Sequence, residues 1–214
     1  MNTYVIVPYR NREEHLPIFL KAIREKLPDA AVLIIEQEEG KPFNRAKLLN
    51  VGGVISFQSN ATHIITHDVD MIPLGETEYT LGEAVHLATA ATQFGSKMPY
   101  PAYFGGVTVF SAKTFYMVNG YSNEYWGWGA EDDDILKRCQ VAQVEVTRID
   151  DNPFNSLNHV HALHDKEENK RMQANGKRFH AGYDTYKDGI NSLEFKLLNH
   201  VELELGVLKI TVSI

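Results

Sequence analysis

The first 35 residues of the chain follow a strand–helix–strand pattern, which predicts a parallel β-sheet. Apolar runs at 4–7 and 31–35 read as buried strands, and the apolar residues between 16 and 27 recur at helical spacing. A crossover helix between two buried strands is typical of α/β proteins with a mostly parallel central sheet flanked by helices. Such sheets bind ligands at the carboxyl ends of their strands, where Arg10 and Arg12 follow the first strand. The two cations either lie in a solvated loop or bind a diphosphate.

Composition narrows the class of protein. A chain of 214 residues with 43% hydrophobic residues suits one sizeable domain or two small ones, and we expect a single domain over 1–214. The net charge of −7 argues against broad binding to nucleic acid or anionic membranes. Cys139 is the only cysteine, so no intrachain disulfide can form. Since the start reads as a strand and no apolar run could span a bilayer, we expect a soluble, cytoplasmic protein.

The stretch 125–134 combines two tryptophans, two alternating glycines and four consecutive carboxylates. Acidic residues suit the first turn of a helix, and 135–138 continue as one. Alternatively, Trp128 between its glycines forms an aromatic plate that swings over a site beside a dense negative charge. A plain helix start needs only a cap, so the tryptophan–glycine pairs favour the second interpretation.

A second motif lies at 43–52. Asn44 is placed to cap a helix over 46–50, which we expect the following glycines to end. Phe43 either packs as a hydrophobic staple or offers a ring on which a flat ligand group stacks. Arg45 falls in the first helical turn, where the helix dipole disfavours a cation, so its presence indicates an anionic partner.

Candidate metal ligands occur in two places. Asp68 and Asp70 follow a predicted buried strand and, being alternate residues of an extended segment, can point to one ligand. Such oxygens suit a divalent ion that bridges phosphates, although a simple turn is the alternative. Three histidines, His159, His161 and His164, fall within six residues, which favours a metal site over three structural imidazoles.

Weaker patterns complete the predicted elements. They predict a helix at 80–92, a strand at 102–110, a helix at 112–118 capped by Ser111, a strand at 144–149, an exposed helix at 167–175, and a closing pair of strands at 192–198 and 207–212. The pair Gly105-Gly106 inside a predicted strand indicates a bulge or a close approach of the backbone.

In these motifs and their order, the sequence resembles the β-1,4-galactosyltransferase family. The motifs that carry the resemblance are Pro-Tyr-Arg-Asn-Arg-Glu-Glu-His-Leu at 8–16, the stretch 43–52, Asp-Val-Asp at 68–70, Tyr-Phe-Gly-Gly-Val at 103–107, the stretch 125–134 and Asp-Gly-Ile-Asn-Ser-Leu at 188–193. Together they cover nearly the whole chain. Asp-x-Asp alone is common, whereas Trp-Gly-Trp-Gly-x-Glu-Asp-Asp-Asp together with Phe-Asn-Arg-Ala-Lys-Leu-Leu-Asn-Val-Gly is very specific.

The resemblance implies a Rossmann-like, GT-A-type nucleotide-sugar transferase. The implied reaction is an inverting, Mn²⁺-dependent transfer of galactose from UDP-galactose to the 4-hydroxyl of a terminal N-acetylglucosamine, glucose or xylose. Carried over by motif, the donor-binding residues are Pro8, Arg10, Arg12, Phe43, Arg45, Asp68, Tyr103, Gly106 and Trp128. Tyr103 falls where the family selects its donor, and a tyrosine there goes with galactose rather than N-acetylgalactosamine.

The resemblance also assigns the reacting side of the site. Asp132 is the implied general base, while Asp133, Glu131 and Trp128 are the implied acceptor-binding residues, Trp128 on a mobile loop that closes over the donor. General chemistry agrees, because an inverting transfer needs a carboxylate to take the proton of the acceptor hydroxyl, and crowded carboxylates raise one another's pKa. A closing loop would keep water away from the donor.

The resemblance leaves the metal ligands partly open. Asp70 is the implied carboxylate ligand. Some members of the family use a methionine and a histidine three residues apart, and others use His-x-His. His161 fits both spacings, His164 fits the first, and His159 is the alternative under the second.

The chain departs from the family in ways that keep other functions open. Animal members carry a membrane anchor and several cysteines, so their Golgi setting is not carried over. Ala130 replaces a glycine found in some members, a change that can limit loop motion. A transferase that uses UDP-N-acetylgalactosamine or UDP-glucose is one alternative. A non-catalytic carbohydrate-binding module with Trp128 and Tyr103 as sugar platforms is another, although the carboxylates and histidines argue against it.

Overall fold

A computed structural model describes residues 2–158 and 165–214 of the chain. The strands are β1 Thr3–Tyr9, β2 Ala31–Gln37, β3 His63–His67, β4 Met71–Pro73, β5 Ala84–His86, β6 Ala90–Ala91, β7 Val107–Ser111, β8 Thr147–Arg148, β9 Pro153–Ser156, β10 Lys196–Glu204 and β11 Val207–Ser213. The α-helices are α1 Leu16–Lys26, α2 Arg45–Gln58, α3 Ala112–Met117, α4 Glu131–Val141 and α5 Lys166–Ala181. Short 3₁₀ helices lie at Thr92–Phe94 and Ile190–Ser192.

The main sheet has eight strands in the order β10-β11-β2-β1-β3-β7-β5-β8. Its centre is parallel: β1 pairs in parallel with β2 and with β3, and β11 pairs in parallel with β2. Antiparallel pairs lie on either side of this centre, between β10 and β11 and between β7 and both β3 and β5. The predicted α/β fold with a mainly parallel central sheet is confirmed.

Helices cover both faces of this sheet, as the apolar strand sequences require. Alternate residues of β1 point to opposite faces, so Ile6 packs with α2 whereas Val5 and Val7 pack with α1. Phe19 and Ile23 are the fully buried residues of α1. Loops at the carboxyl ends of β1 and β3 emerge from the same edge of this three-layer core.

Helix α2 continues through the two glycines that we expected to end it. The helix extends to Gln58, because Gly52 and Gly53 serve close packing rather than termination. A Cβ atom on Gly52 would lie 2.2 Å from Cγ2 of Ile6, and one on Gly53 would lie 2.7 Å from Cε1 of Phe115. The missing side chains therefore allow α2 to lie directly against the sheet and α3.

The predicted helix at 80–92 is wrong. The segment forms β5, β6 and part of a 3₁₀ helix, because β5 pairs with β7 and β6 pairs with β9 in a second, three-stranded sheet ordered β4-β9-β6. Hydrogen bonding to the distant strands β7 and β9 makes this segment extended, although the local spacing of its apolar residues is helical.

The other predicted elements differ from the observed ones mainly in where they begin and end. The strand predicted at 102–110 begins only at Val107, after Gly106 with φ +77°, and the strand predicted at 144–149 shrinks to β8. The capped helix after Ser111 is confirmed, since the Ser111 hydroxyl accepts from the Thr114 N–H. The closing antiparallel pair is also present, but its first strand, predicted at 192–198, runs from Lys196 to Glu204. Within the described residues, none of the helices combines the length and apolarity needed to cross a bilayer.

Candidate functional site

Arg45, the first residue of α2, lies at the centre of the candidate site. The helix begins here because Asn44 caps it: the Asn44 side chain accepts from the Lys47 N–H, and the Asn44 N–H donates to Oε1 of Gln37, each at 2.8 Å. The predicted cap is confirmed. This bond to the last residue of β2 places the start of α2 at the carboxyl edge of the sheet.

The Arg45 guanidinium joins two loops through their carboxylates. Nε donates to Oδ1 of Asp68 at 2.6 Å, and Nη1 donates to Oδ1 of Asp132 at 2.8 Å. Glu131 lies 3.8 Å from the same Nη1. The structure therefore brings the loop after β3 and the start of α4 to one cation.

The carboxylates around Arg45 are perturbed by burial. Burial raises the pKa of Asp68 to about 6 against the opposing charge of Arg45, and Asp70 adds to the rise. Burial also raises the pKa of Asp132 well above that of a free aspartate; Arg45 opposes this rise and Glu131 adds to it. An aspartate with a raised pKa is a better proton acceptor, as general-base chemistry requires.

Gly105 brings Tyr103 and Asp132 together. A Cβ atom on Gly105 would lie 2.3 Å from Oδ2 of Asp132 and 2.8 Å from the Tyr103 hydroxyl. Burial, with the charge of Asp132 next, raises the pKa of the Tyr103 phenol well above its usual value, so it stays protonated. The close approach predicted at Gly105-Gly106 is therefore that of the Asp132 carboxylate and the Tyr103 phenol to the backbone of Gly105. Gly106, with a positive φ, directs the chain into β7.

Asp133 faces a cleft beside Asp132. The Tyr100 hydroxyl donates to Oδ1 of Asp133 at 3.0 Å, and the Tyr100 ring is 42% exposed. A cleft of ≈ 450 Å³ is lined by Ala102, Asp133, Leu136, Lys137, Gln140, Phe179 and His180. The sequence interpretation missed Tyr100, although an aromatic residue just before the Tyr-Phe-Gly-Gly motif was a usable signal.

The run of four carboxylates divides between two tasks. It does begin a helix, as one of the two interpretations proposed, because α4 starts at Glu131. Asp134, however, turns away from Arg45 and pairs with Arg138, with 2.8 Å between Oδ2 and Nε and both side chains almost fully buried. Tyr125 and Tyr183 also donate to the Asp134 carboxylate. Only the first three acids therefore belong to the candidate site.

The other cations predicted at this edge differ in their surroundings. Arg10 lies over the Phe43 ring, with 5.1 Å from Cζ to the ring centroid, and donates to the carbonyl of Lys41. Pro8 is buried within β1. Arg12 donates locally, to the carbonyl of Asn11 at 3.0 Å. The structure thus brings Arg10 to Phe43, whereas Arg12 lies at the start of the loop that leads to α1.

Helix α5 holds the loop that carries Trp128. The Trp128 side chain is 59% exposed, and its backbone N–H donates to Oε1 of Glu168 at 3.0 Å. Buried Asn175 donates through Nδ2 to the carbonyls of Trp126 and Trp128, at 3.1 and 3.2 Å. Gly127, with φ +75°, also approaches α5 closely: a Cβ atom there would lie 2.3 Å from Oε1 of Glu168. In this conformation the backbone of the loop is hydrogen-bonded to α5, while Trp128 is exposed.

Asp68 and Asp70 offer carboxylate oxygens, the type of ligand that hard divalent metal ions prefer. Both residues follow β3, and the charge of Asp70 is close enough to affect the pKa of Asp68 and of His67. The predicted ligands His159, His161 and His164 lie outside the described residues. Within the described residues, no group of three or more histidines, cysteines and carboxylates is arranged for a metal. The described carboxylates therefore fit one side of such a site.

His67 supports this segment from behind, a role that the sequence interpretation missed. Burial lowers the pKa of His67 to about 4, so the ring is neutral. Nδ1 lies 2.9 Å from the carbonyl oxygen of Asp68, and Nε2 lies 2.8 Å from the Tyr79 hydroxyl. These contacts assign the ring proton to Nδ1, donating to Asp68, with Tyr79 donating to Nε2.

Comparison with known proteins matches both halves of the chain. The family model described as the N-terminal region of glycosyl transferase group 7 matches residues 1–81, and that described as the N-terminal domain of galactosyltransferase matches 85–164. β-1,4-Galactosyltransferase 4 of Homo sapiens is 36% identical over 208 residues, which is 91% of this chain and 58% of that protein. β-1,4-Galactosyltransferase 2 of Cricetulus griseus is 36% identical over 206 residues, 91% of this chain and 54% of that protein. The chain thus spans a little over half the length of these relatives.

Solved structures show the same likeness. A mutant of Drosophila β-1,4-galactosyltransferase 7, in complex with manganese, UDP-Gal and xylobiose, has a TM-score of 0.80 at 27% identity, covering 99% of this chain and 93% of that chain. A mannosyltransferase from Pyrobaculum calidifontis, in complex with GDP-Man and Mn²⁺, has a TM-score of 0.50 at 14% identity, covering 72% of this chain and 56% of that one. The second likeness concerns the fold alone, which is of the GT-A type.

Proposed function

Since this chain belongs to the β-1,4-galactosyltransferase family, we propose that it transfers galactose from UDP-galactose to the 4-hydroxyl of a terminal sugar, with inversion at the anomeric carbon. The observation that supports this most is the Arg45 guanidinium, which donates to both Asp68 and Asp132. An inverting transfer needs donor-binding groups and a base close enough to act on one sugar, and this contact brings the two sets together.

The donor side is built from the edge residues described above. We assign the uracil and diphosphate to Phe43, Arg10 and Arg45, with Pro8 and Arg12 forming the start of the same wall. We assign Asp68, Tyr103 and Gly106 to the transferred sugar. Cations suit this role because charge accumulates on the departing diphosphate in the transition state. The buried, protonated Tyr103 can donate a hydrogen bond to a sugar hydroxyl.

Asp132 is the proposed general base. Its carboxylate accepts the proton of the acceptor 4-hydroxyl while that oxygen forms a bond to the anomeric carbon, and the bond from that carbon to the UDP oxygen breaks. The raised pKa of Asp132 matches this task. We assign Asp133, Glu131 and Trp128 to the acceptor, with Tyr100 beside them. Closure of the Trp128 loop over the site would exclude water.

We assign a manganese ion to Asp70 and His161, with His164 or His159 as the second imidazole ligand. When bound, such an ion neutralises charge on the diphosphate oxygens. The structural relative from Drosophila was crystallised with manganese, UDP-Gal and xylobiose. That complex supports Mn²⁺ as the cofactor and xylose among the acceptors, beside N-acetylglucosamine and glucose.

A transfer assay with a matched binding measurement tests this function. The protein is incubated with UDP-galactose, Mn²⁺ and N-acetylglucosamine, glucose or xylose acceptors, and UDP release is followed. We expect release that depends on the acceptor, and we expect Asp132→Asn to lose about 10²–10⁴-fold in turnover while calorimetry still detects UDP binding. Release from none of the acceptors, or full activity of Asp132→Asn, would contradict the proposal.

The same assay separates the alternatives. Release with UDP-N-acetylgalactosamine or UDP-glucose in place of UDP-galactose would identify another donor, and a series of Tyr103 substitutions would then test donor choice. A carbohydrate-binding module would instead bind sugar in calorimetry with no dependence on UDP or Mn²⁺. The buried Arg45 between Asp68 and Asp132 favours the transferase, because a diphosphate needs a cation at the site and a neutral sugar does not.

A further inference from the structure

Strand β10 presents a long unpaired edge. It pairs with β11 on one side, and within residues 2–158 and 165–214 no strand pairs with its other side. All nine of its residues are exposed. Four of them are large and apolar, with exposed fractions of 49% for Leu197, 42% for Leu198, 44% for Val201 and 41% for Leu203. An edge of this length with exposed apolar side chains is a template for pairing with another strand.

The sequence of β10 is complementary to itself in the antiparallel direction. When two copies pair so that His200 faces His200, all nine residues of each strand find a partner. Lys196 then lies opposite Glu204, and Leu197 lies opposite Leu203, twice each across the two-fold axis, whereas the inner positions 198/202 and 199/201 each pair an apolar with a polar residue. Opposite charges and apolar pairs directly across two strands stabilise pairing. We propose that β10 is the interface through which two copies of this chain form an antiparallel dimer.

Other features of the edge agree with a second copy as the occupant. The strand has no proline, and Lys196 is its only lysine or arginine, so two of the residue types that oppose edge pairing are absent or rare here. Register shifts of β10 against β11 fall at Leu198 and Leu203, where bulges work against edge pairing, so we place the centre of the contact in the regular segment 199–202 between them. Glu204 lies 3.3 Å from Arg24 of its own chain, and at 49% exposure it remains accessible to a partner's lysine.

The proposed dimer is weak and leaves the candidate site open. One strand pair buries less area than a stable complex usually needs, so dissociation in the micromolar range is expected. Strands β11 and β2 separate β10 from β1, whose carboxyl end carries Arg10. The inference therefore does not rest on the proposed transferase activity, and that activity can fail without affecting it.

Sedimentation velocity across the micromolar range tests whether the dimer exists. We expect a concentration-dependent dimer, which Lys196→Glu weakens about tenfold because two attractive pairs become repulsive. Reversing the charge of the facing residue as well, in Lys196→Glu/Glu204→Lys, should restore the dimer. A monomer at every concentration, or a dimer insensitive to Lys196→Glu, would overturn the proposal; a segment of a longer chain covering this edge would give the first of these results.

Cysteine cross-linking tests the register. In the proposed pairing, two copies of His200→Cys face each other at a Cβ separation close to what a disulfide requires. Glu202→Cys is the matched control on the same strand, because its two copies are offset by four residues, about 13 Å. The native Cys139 is buried and does not interfere. Oxidation should cross-link His200→Cys readily and Glu202→Cys poorly. Equal yields would overturn the register.

Discussion

Nη1 of Arg45 lies 2.8 Å from Oδ1 of Asp132, which joins two residues that are 87 positions apart in the chain. Each residue is held at the start of its own helix, so the contact sets the distance between α2 and α4 at the edge of the sheet. The same guanidinium is bonded to Asp68. The cation therefore both stabilises the ionised form of the proposed base and connects it to the proposed donor-binding loop.

Replacement of Arg45 should change the pH dependence of the reaction. Burial already raises the pKa of Asp132, and Arg45 opposes that rise, so Arg45→Gln should raise the pKa further. A base must be deprotonated, and activity is lost as the pH falls through its pKa. The acid limb of kcat/KM should therefore move to higher pH, with an overall loss of about 10²-fold.

Two matched variants control for lost donor binding. Arg45→Lys keeps a positive charge and should hold the acid limb closer to its original position. Arg12→Gln removes another proposed donor-binding cation, one whose described hydrogen bond goes to the Asn11 carbonyl rather than to a carboxylate. The Arg12→Gln substitution should lower kcat/KM without shifting the acid limb of its pH profile. An unchanged limb in Arg45→Gln would show that Arg45 does not govern the base.

The elements that carry the site were predictable wherever the signal was local. Asn44 marks the start of α2 because a cap needs only residues within one turn. Asp68 and Asp70 were placed correctly after β3 because a short apolar run ended there. These signals reach over a few residues, and neither depends on the rest of the fold.

What depended on contacts between distant segments could not be predicted. The spacing of 80–92 suggested a helix, yet β5 forms there because β7 accepts it as a partner. The four carboxylates at 131–134 look alike in sequence, and only packing shows that Asp134 turns to Arg138 while Asp132 turns to Arg45. The support of Asp68 by His67 likewise depends on Tyr79, which lies beyond the strand.

The hold of α5 on the tryptophan loop should matter for catalysis. Glu168→Ala removes the acceptor of the Trp128 N–H, and we expect kcat/KM to fall by about 10–100-fold, since a hydrogen bond to a charged group is worth about 1.5–3 kcal/mol. Tryptophan fluorescence on addition of UDP should report the altered loop. Glu167→Ala is the matched control, because the neighbouring Glu167 pairs with exposed Lys170 and makes no described contact with the loop. Equal effects of the two substitutions would argue against a role for the contact.

Two glycine substitutions test the packing of α2. Gly52→Ala should lower the free energy of unfolding by about 1–3 kcal/mol or more, because the new Cβ atom would lie 2.2 Å from Cγ2 of Ile6. Gly176→Ala is the control within α5, where an added Cβ has no atom within 4 Å, and it should stabilise by about 0.5–1 kcal/mol. Thermal unfolding of both variants measures the difference, and a harmless Gly52→Ala would contradict the close packing.

Substitutions at the neighbouring Asp133 and Asp134 should differ in their effect on the free energy of unfolding, because only Asp134 belongs to a buried ion pair. Asp134→Asn breaks an almost fully buried ion pair and leaves the Arg138 charge with the longer contact to Asp188, at 3.9 Å, so we expect a loss of about 3–5 kcal/mol in the free energy of unfolding. Asp133→Asn, which weakens one hydrogen bond with partly exposed Tyr100, should lose no more than about 1.5 kcal/mol. Urea unfolding at unchanged slope gives both values.

A double substitution tests whether the Arg138 charge, once it has lost Asp134, causes the loss of stability in Asp134→Asn. Asp134→Leu/Arg138→Met removes both partners of the buried pair, and such replacements are often close to neutral because no uncompensated charge remains. We therefore expect the double variant to be more stable than Asp134→Asn, although the hydroxyls of Tyr125 and Tyr183 lose an acceptor. If the double variant were instead the less stable of the two, the network would act through its hydrogen bonds rather than through the balance of its charges.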